Sequence, residues 1–196
     1  MTKAQIIAEL KALGWRIRND TDLTKAVEDF QRGWNLGEAL VIDGKAGSKT
    51  QAALKVSQDR RKAGRSTASA HFSFVEFRCK CGGKYTNCRR IRIHRGLLGA
   101  LEAYRVIAGS FAPVSGYRCP SYNSSIGGAS SSQHLYGAAC DVPTKVKWGA
   151  VARLRRFSGI GYVRSTGLVA HVDVRHLSGN NTTSGSPDRP TTWQYR

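Results

Sequence analysis

The sequence predicts an α+β fold in which a small antiparallel sheet, with helices packed on it, follows a small three-helix domain. Apolar residues recur at helical spacing three times within residues 1–64. Residues 72–196 instead alternate helical stretches with short runs of β-forming residues, as a sheet covered by helices requires. Residues 65–71 are mostly small and polar, which predicts a linker. The predicted domains are therefore residues 1–64 and 72–196.

Local patterns also predict the individual elements. In the first domain, apolar stripes predict three helices, which cover residues 6–13, 23–34 and 52–56. In the second domain, the predicted helices and strands are a helix over about 90–107, a strand at 113–117, a strand that ends at 141, a helix at 148–157 and a strand at 170–175. The tail over 179–190 predicts a loop, with Trp193 and Tyr195 packed back on the body.

The most specific motif is S-x-H-x-x-G-x-A-x-D over residues 132–141, followed by A-H-V-D over residues 170–173. It supplies two imidazoles and one carboxylate, from His134, His171 and Asp141. Catalytic zinc takes three protein ligands and keeps an open position for water. The glycine inside the motif lets the chain turn back so that both of its ligands face one point. The pattern predicts one catalytic zinc ion.

A second segment accompanies this motif, with S-G-Y-R-C-P-S-Y-N over residues 115–123 and I-G-G over residues 126–128. Together the segments resemble the zinc D-Ala-D-Ala carboxypeptidases and the bacteriophage L-alanyl-D-glutamate endopeptidases. These peptidoglycan-cleaving enzymes share their metal site with hedgehog signalling domains. The resemblance implies a hedgehog/D,D-peptidase-like fold for the second domain. It also implies that zinc is bound by His134, Asp141 and His171.

The resemblance further implies that Arg118 holds a substrate carboxylate or stabilises the developing oxyanion. It leaves the general base open, because many members carry an acid three residues before the last histidine, where this chain has Leu168. Asp173 is the preferred base, since strand alternation places it on the face of His171, about 7 Å away. The alternative is that Asp173 orients that histidine without moving protons. Glu76 is the less favoured base.

The first domain carries its own pattern, with F-Q at residues 30–31, D-G-K-A-G-S-K-T at residues 43–50 and A-L at residues 53–54. These segments resemble the three-helix peptidoglycan-binding domain, whose F-Q…D-G-x-x-G-x-x-T pattern joins its second and third helices. The resemblance implies that residues 1–64 bind the cell wall. The alternative is a helical bundle that uses Gly44 and Gly47 only for backbone turns.

The chain has five cysteines, an odd number, and lacks the apolar stretch of a secretory signal, which together disfavour a disulfide framework. Four of them are Cys79, Cys81, Cys88 and Cys119. Three states stay open for these four: ligation of a second, structural zinc, disulfide pairing, or unpaired buried thiols. Cys140 lies beside a metal ligand on a predicted strand, so we expect it to point away from the zinc into the core.

The net charge of the chain indicates which classes of binding partner it favours. The formal net charge is +18, and residues 65–196 carry 19 Lys and Arg against five Asp and Glu. This excess favours polyanions such as anionic cell-wall polymers or lipopolysaccharide. Nucleic acid is disfavoured, since the basic residues form no nucleic-acid-binding module. No run of 18 apolar residues predicts a membrane span. We expect a monomer, made in the host cytosol without a signal peptide, that acts on the cell wall after release.

The sequence therefore predicts a zinc metallopeptidase that hydrolyses a peptidoglycan stem-peptide or cross-link amide bond, in the setting of a bacteriophage endolysin. Two alternatives stay open. One is D-Ala-D-Ala carboxypeptidase action on the end of the stem peptide. The other is a non-catalytic cell-wall-binding protein with a degenerate zinc site, which Leu168 in place of an acid motivates. The bond that is cut is not predicted by the motifs.

Overall fold

Three helices form the N-terminal part of the computed structural model, which describes residues 1–179 and 185–196. They are α1 (Lys3–Ala12), α2 (Asp20–Gly33) and α3 (Ser48–Lys62). The side chains of Thr2 and Asn19 cap α1 and α2 by accepting a backbone N–H of the first turn. The three predicted helices are confirmed.

The turn between α2 and α3 is built around one buried side chain, Gln31. Its amide nitrogen lies 2.9 Å from Asp43 Oδ1 and 3.1 Å from Thr50 Oγ1. Its Oε1 accepts the backbone N–H groups of Asp43 and Gly44, at 3.1 and 3.0 Å. The glutamine, aspartate and threonine of the N-terminal motif therefore hold the turn together.

Within the described residues, the second part contains three further helices and a four-stranded sheet. They are α4 (Arg95–Ala108), α5 (Pro120–Ser125), α6 (Trp148–Arg153), β1 (Ala139–Asp141), β2 (Gly159–Val163), β3 (Val169–Asp173) and β4 (Thr191–Tyr195). The strand order is β1-β3-β2-β4, and β3 runs antiparallel to both of its neighbours. The predicted α+β class is confirmed. In the part of the chain that is described, no helix is long and apolar enough to cross a membrane.

Three details differ from the prediction. Strand β4 pairs parallel to β2, so the sheet is mixed and not purely antiparallel. Local sequence patterns do not reveal such a pairing, because β4 is far from β2 and β3 along the sequence. The predicted strand at 113–117 is wrong, since Ser115 forms only an isolated bridge with Asp141. Helix α4 begins at Arg95 and not near residue 90, because the His94 side chain caps its first turn.

The segment 65–71 is packed and is not the flexible linker that its composition predicts. Ala68 is fully buried, and its carbonyl oxygen accepts the backbone N–H of Asn35 at 3.0 Å. Ser69 Oγ donates to Glu102 Oε1 on α4 at 2.7 Å. The segment therefore contacts both parts of the molecule. The domain limits at 64 and 72 stay predictions.

One apolar core runs through both parts of the chain. The ring of Phe74 lies 5.0 Å from that of Trp15 and 5.4 Å from that of Phe30, measured between centroids. Nearby, the buried carboxylate of Asp29 pairs with Arg89 at 2.8 Å. Truncating a core phenylalanine to alanine typically costs about 3–5 kcal/mol. We therefore expect the N-terminal helices and the rest of the chain to depend on each other for stability.

Candidate metal centre

Two neighbouring strands carry two of the predicted metal ligands on one face of the sheet. Asp141 on β1 lies directly opposite His171 on β3 in the antiparallel register. Cys140 and Val172, the residues next to them, face the other side and are fully buried in the apolar core. The predicted orientation of Cys140, away from the ligands, is confirmed.

The third predicted ligand, His134, comes from a single 3₁₀ turn between α5 and β1. The turn ends at Gly137, whose φ of +67° is a left-handed conformation. A Cβ there would lie 2.4 Å from the carbonyl oxygen of Arg92, so only glycine fits. His134 Nδ1 lies 2.6 Å from the Gly116 carbonyl oxygen. That contact makes Nδ1 the protonated nitrogen and leaves Nε2 to face the site.

The three ligand atoms converge. His134 Nε2 lies 3.2 Å from His171 Nδ1, and these nitrogens lie 3.1 and 2.9 Å from Asp141 Oδ1. A tetrahedral ion with ligand distances near 2.1 Å holds its ligand atoms about 3.4 Å apart. Both histidines are buried, while the aspartate is half-buried. The spacing and the chemistry of this donor set fit zinc.

Burial and hydrogen bonding set the charges of these side chains. Burial lowers the pKa of His134, which favours the neutral imidazole that metals bind. Burial would raise the pKa of Asp141, but hydrogen bonds with both histidines hold it well below its usual range. For His171, burial would lower the pKa, but contacts with Asp141 and Asp173 raise it. Metal binding must displace that proton, so affinity should fall at low pH.

Asp173 contacts the ring nitrogen of His171 that does not face the other ligands. Its Oδ2 lies 3.2 Å from His171 Nε2, and Arg175 donates to its two oxygens at 2.8 and 2.7 Å. Asp173 is fully buried. Burial would raise the pKa of Asp173, but the hydrogen bonds from Arg175 and His171 outweigh it and lower the pKa to about 2. These are the contacts of a carboxylate that orients a ligand histidine.

Arg118 reaches the same site from the turn that precedes α5. Its Nη2 donates to Asp141 Oδ2, the oxygen that does not face the histidines. Its Nε donates to Ser115 Oγ at 3.3 Å. The structure therefore brings Arg118 to the predicted site, where it holds Asp141 as well as lining the cleft.

The site opens into a cleft of about 940 Å³, at the upper end of the size of ligand pockets. One wall is the loop after α5, and the other is β4, with Trp193 and Tyr195. The Trp193 ring lies 5.0 Å from the His171 ring and 5.2 Å from the guanidinium of Arg175. Gly161 permits this approach, because a Cβ there would lie 2.6 Å from the Tyr195 ring.

The cleft residues that the sequence-based site lacks include Arg175, Trp193 and Tyr195. A signal for the first exists, since alternation along H-x-D-x-R places Arg175 with His171 and Asp173. The two aromatic residues are predicted only to pack on the body. Their position depends on the pairing of β4 with β2, for which the sequence has no local pattern.

The structure does not place Glu76 at the site. Its Oε2 accepts the backbone N–H of Ser73 at 2.6 Å, so the carboxylate caps a short 3₁₀ turn. Among the described residues that line the cleft, the carboxylates are Asp141 and Asp173.

The four cysteines for which a second metal site is one of three open states also come together. Their four Sγ atoms lie within 4.8 Å of one another. The three candidate ligand atoms of the cleft lie within the same distance of each other. The cysteines are Cys79, Cys81, Cys88 and Cys119. They form a separate cluster that does not line the cleft.

Comparison with known proteins agrees with this geometry. The family model of peptidase M15 matches residues 70–178, which include all three ligands of the cleft. A zinc D-Ala-D-Ala carboxypeptidase of Streptomyces albus G is 29% identical over 164 residues. That alignment covers 80% of this chain but only 60% of the length of the Streptomyces protein. Since the family model spans more than half of the chain, the chain belongs to the peptidase M15 family.

Proposed function

We propose that this protein is a zinc-dependent peptidoglycan peptidase that hydrolyses an amide bond of a stem peptide or cross-link. The convergence of His134, Asp141 and His171 in an open cleft carries the proposal. Two imidazoles and one carboxylate are a ligand set of catalytic zinc. Membership of the peptidase M15 family and the likeness to a zinc carboxypeptidase support it.

Each side chain of the site has a distinct part in this proposal. When bound, zinc supplies a Lewis acid for the scissile carbonyl and lowers the pKa of the attacking water. Arg118 has five N–H donors, and its bonds to Ser115 and Asp141 use two of them. Further donors of this guanidinium would bind a substrate carboxylate or the developing oxyanion.

Asp173 is interpreted in two ways: as the general base, or as a residue that orients His171 without moving protons. Acceptance of a proton would weaken its two hydrogen bonds with Arg175, and its low pKa disfavours that step. We therefore infer that Asp173 is a positioning residue, which holds the His171 ring through Nε2. The general-base assignment of Asp173 stays a prediction, which the comparison of variants in the Discussion tests.

We further propose that residues 1–64 and the basic surface bring the enzyme to the cell wall. Support comes from the resemblance of the segments around Gln31 to the peptidoglycan-binding domain, and these segments form one ordered turn. The excess of Lys and Arg over residues 65–196 would add attraction to anionic wall polymers or lipopolysaccharide. The setting we propose is a monomeric bacteriophage endolysin, made in the host cytosol, that acts on the wall after release.

Defined muropeptides test the activity. The zinc-loaded full chain is incubated with a pentapeptide stem that ends in D-Ala-D-Ala and with a cross-linked dimer, and the products are identified by mass. Cleavage after L-Ala or at the cross-link supports the endopeptidase. Release of terminal D-Ala alone supports the carboxypeptidase, the alternative that the Streptomyces relative favours. No product from any substrate at full zinc occupancy supports the non-catalytic wall-binding protein and overturns the proposal.

Two variants control that experiment. His171→Ala removes a ligand and should yield no product. His71→Ala removes a histidine that lies outside the cleft, where it pairs with Glu102 at 2.7 Å, and should cleave at the parent rate. Equal activity of both variants would show that the hydrolysis does not come from this site.

A further inference from the structure

Residues 78–94 connect a buried 3₁₀ turn to α4 without forming a helix or strand. A connection of this length is uncommon in a compact domain unless something else orders it. The apolar residues Ile91 and Ile93 anchor only its last part in the core. The first part, 78–90, is mostly polar, yet Cys79 and Cys88 within it are buried. This first part is held by the Arg89–Asp29 ion pair and by the packing of Cys79 and Cys88 with Cys119, so the cysteine cluster lies at the centre of its order.

The four cysteine side chains have the spacing of a metal site. Their Sγ atoms lie within 4.8 Å of one another, and four thiolates around zinc at about 2.3 Å lie about 3.8 Å apart. Small changes of side-chain torsion would therefore close the site. Cys79, Cys88 and Cys119 are buried, and Cys81 is half-buried, so the cluster is closed to substrate. Closed sites with four ligands are structural, whereas catalytic sites keep a position open.

The backbone around the cluster is arranged to support negative sulfur atoms. The N–H of Cys119 points to Cys79 Sγ at 3.3 Å, and the N–H of Arg90 points to Cys88 Sγ at 3.4 Å. Arg90 is a non-glycine residue with a φ of +73°, a conformation with a steric cost. Metal ligands in proteins are commonly held by such outer hydrogen bonds.

The charge of the surrounding segment matches as well. Four thiolates and one divalent cation carry a net charge of about −2. Residues 78–90 contain no acidic residue and five basic ones, of which Arg89 pairs with Asp29 and the other four are Arg78, Lys80, Lys84 and Arg90. An anionic metal–thiolate centre would be stabilised by this cationic surrounding.

We propose that Cys79, Cys81, Cys88 and Cys119 bind one structural metal ion, of the class that tetrahedral thiolate sites select, with zinc as the occupant. The ion orders the segment from residue 78 to residue 90 and ties it to the start of α5. Cys119 directly follows Arg118, so the same ion steadies the residue that holds Asp141 in the cleft. This proposal does not rest on the peptidase activity.

Metal content of the full chain, purified under reducing conditions, tests the site. We expect Cys88→Ser to hold one ion fewer per chain than the parent. His134→Ala should also hold one ion fewer, but lost from the other site. After exchange to cobalt, His134→Ala should keep the strong near-ultraviolet thiolate-to-cobalt absorption, and Cys88→Ser should lose it. Cys140→Ala, which removes the cysteine outside the cluster, should keep both the ion and the absorption.

Several results would overturn the proposal. Parent metal content in folded Cys88→Ser would show that the cysteines bind no ion. In a sample purified without reductant, an intact mass four hydrogens below that of the reduced chain would show that the four cysteines form two disulfides. Iron in place of zinc would overturn the occupant. Should Cys88→Ser fail to fold, titration of the parent with a mercurial decides, because zinc should leave in step with modification of the cluster thiols. Thiol modification without zinc release would overturn the site.

Discussion

The two clusters of metal-binding side chains in this molecule differ in the support that holds them. The three ligands of the cleft sit on paired strands and a short turn, with Asp141 opposite His171 in the register of the sheet. Three of the four cysteines lie on a segment without regular structure, and Cys119 is the N-cap residue of α5. Sheet hydrogen bonds can position the cleft residues without metal, whereas in our proposal the cysteine segment depends on a bound ion.

The clusters also differ in access. The cleft ligands face a cavity of about 940 Å³, while Cys79 and Cys119 are at most 1% exposed. An accessible site with three donors suits chemistry, and a closed site with four suits stability. From this comparison we expect that loss of an ion from the cleft abolishes hydrolysis. Loss of an ion from the cysteine cluster should instead unfold part of the protein. Four variants test this division, from the largest expected effect to the smallest.

Asp141→Asn should reduce muropeptide hydrolysis to background. The amide keeps the size of the side chain but removes the anionic ligand, so the cleft ion is lost or misplaced. Product mass and metal content per chain measure the result. Asp188→Asn is the matched control, since that exposed carboxylate pairs only weakly with Arg155, at 3.7 Å. Parent turnover by Asp141→Asn would contradict the assignment of this ligand.

Cys88→Ser should lower stability more than activity per folded molecule. An ion present at about 1,000 times its dissociation constant contributes about 4 kcal/mol, which is on the order of 10 °C in Tm for a domain of this size. Thermal unfolding of parent and variant in zinc measures the difference, and chelation should bring the two curves together. Coinciding curves in zinc would place the stabilising ion elsewhere.

Asp173→Asn separates positioning from proton transfer. As a positioning residue, Asp173 should contribute about 10- to 100-fold to metal affinity, so saturating zinc should restore most of the turnover. A general base should instead cost about 10² to 10⁴ in turnover with zinc fully bound. Turnover measured across a zinc titration distinguishes them. A deficit that persists at saturation would restore the general-base assignment.

Gly159→Ala should weaken metal affinity in the same way as Asp173→Asn, but by less. A Cβ at this position would lie 2.2 Å from Asp173 Oδ2, so the carboxylate must move away from His171. We expect metal affinity to fall by about 10-fold, at the low end of the effect of an outer contact. Zinc dependence of turnover measures it. Gly149→Ala on α6 is the control, because a Cβ there meets no atom within 4 Å; equal effects of the two changes would contradict this account.

The cleft ligands could be predicted because their signal is local. Spacing between His134 and Asp141, and strand alternation around His171, are visible without knowledge of the fold. The three N-terminal helices could be predicted for the same reason, since apolar periodicity depends on residues that are close in sequence. The packing within 65–71 could not be predicted, because small polar residues look alike whether exposed or packed. Ala68 is buried by contacts with residues distant in sequence.

By itself, the sequence determined the α+β class and singled out the two sets of candidate metal ligands that the structure brings together. Tertiary structure decided that β4 returns parallel to β2 and brings Trp193 beside His171. It also decided that Arg118 holds Asp141 and that Arg175 engages Asp173. The physical reason is range: periodicity and ligand spacing act over a few residues, whereas strand pairing, burial and ion pairs depend on which distant segments the core brings together.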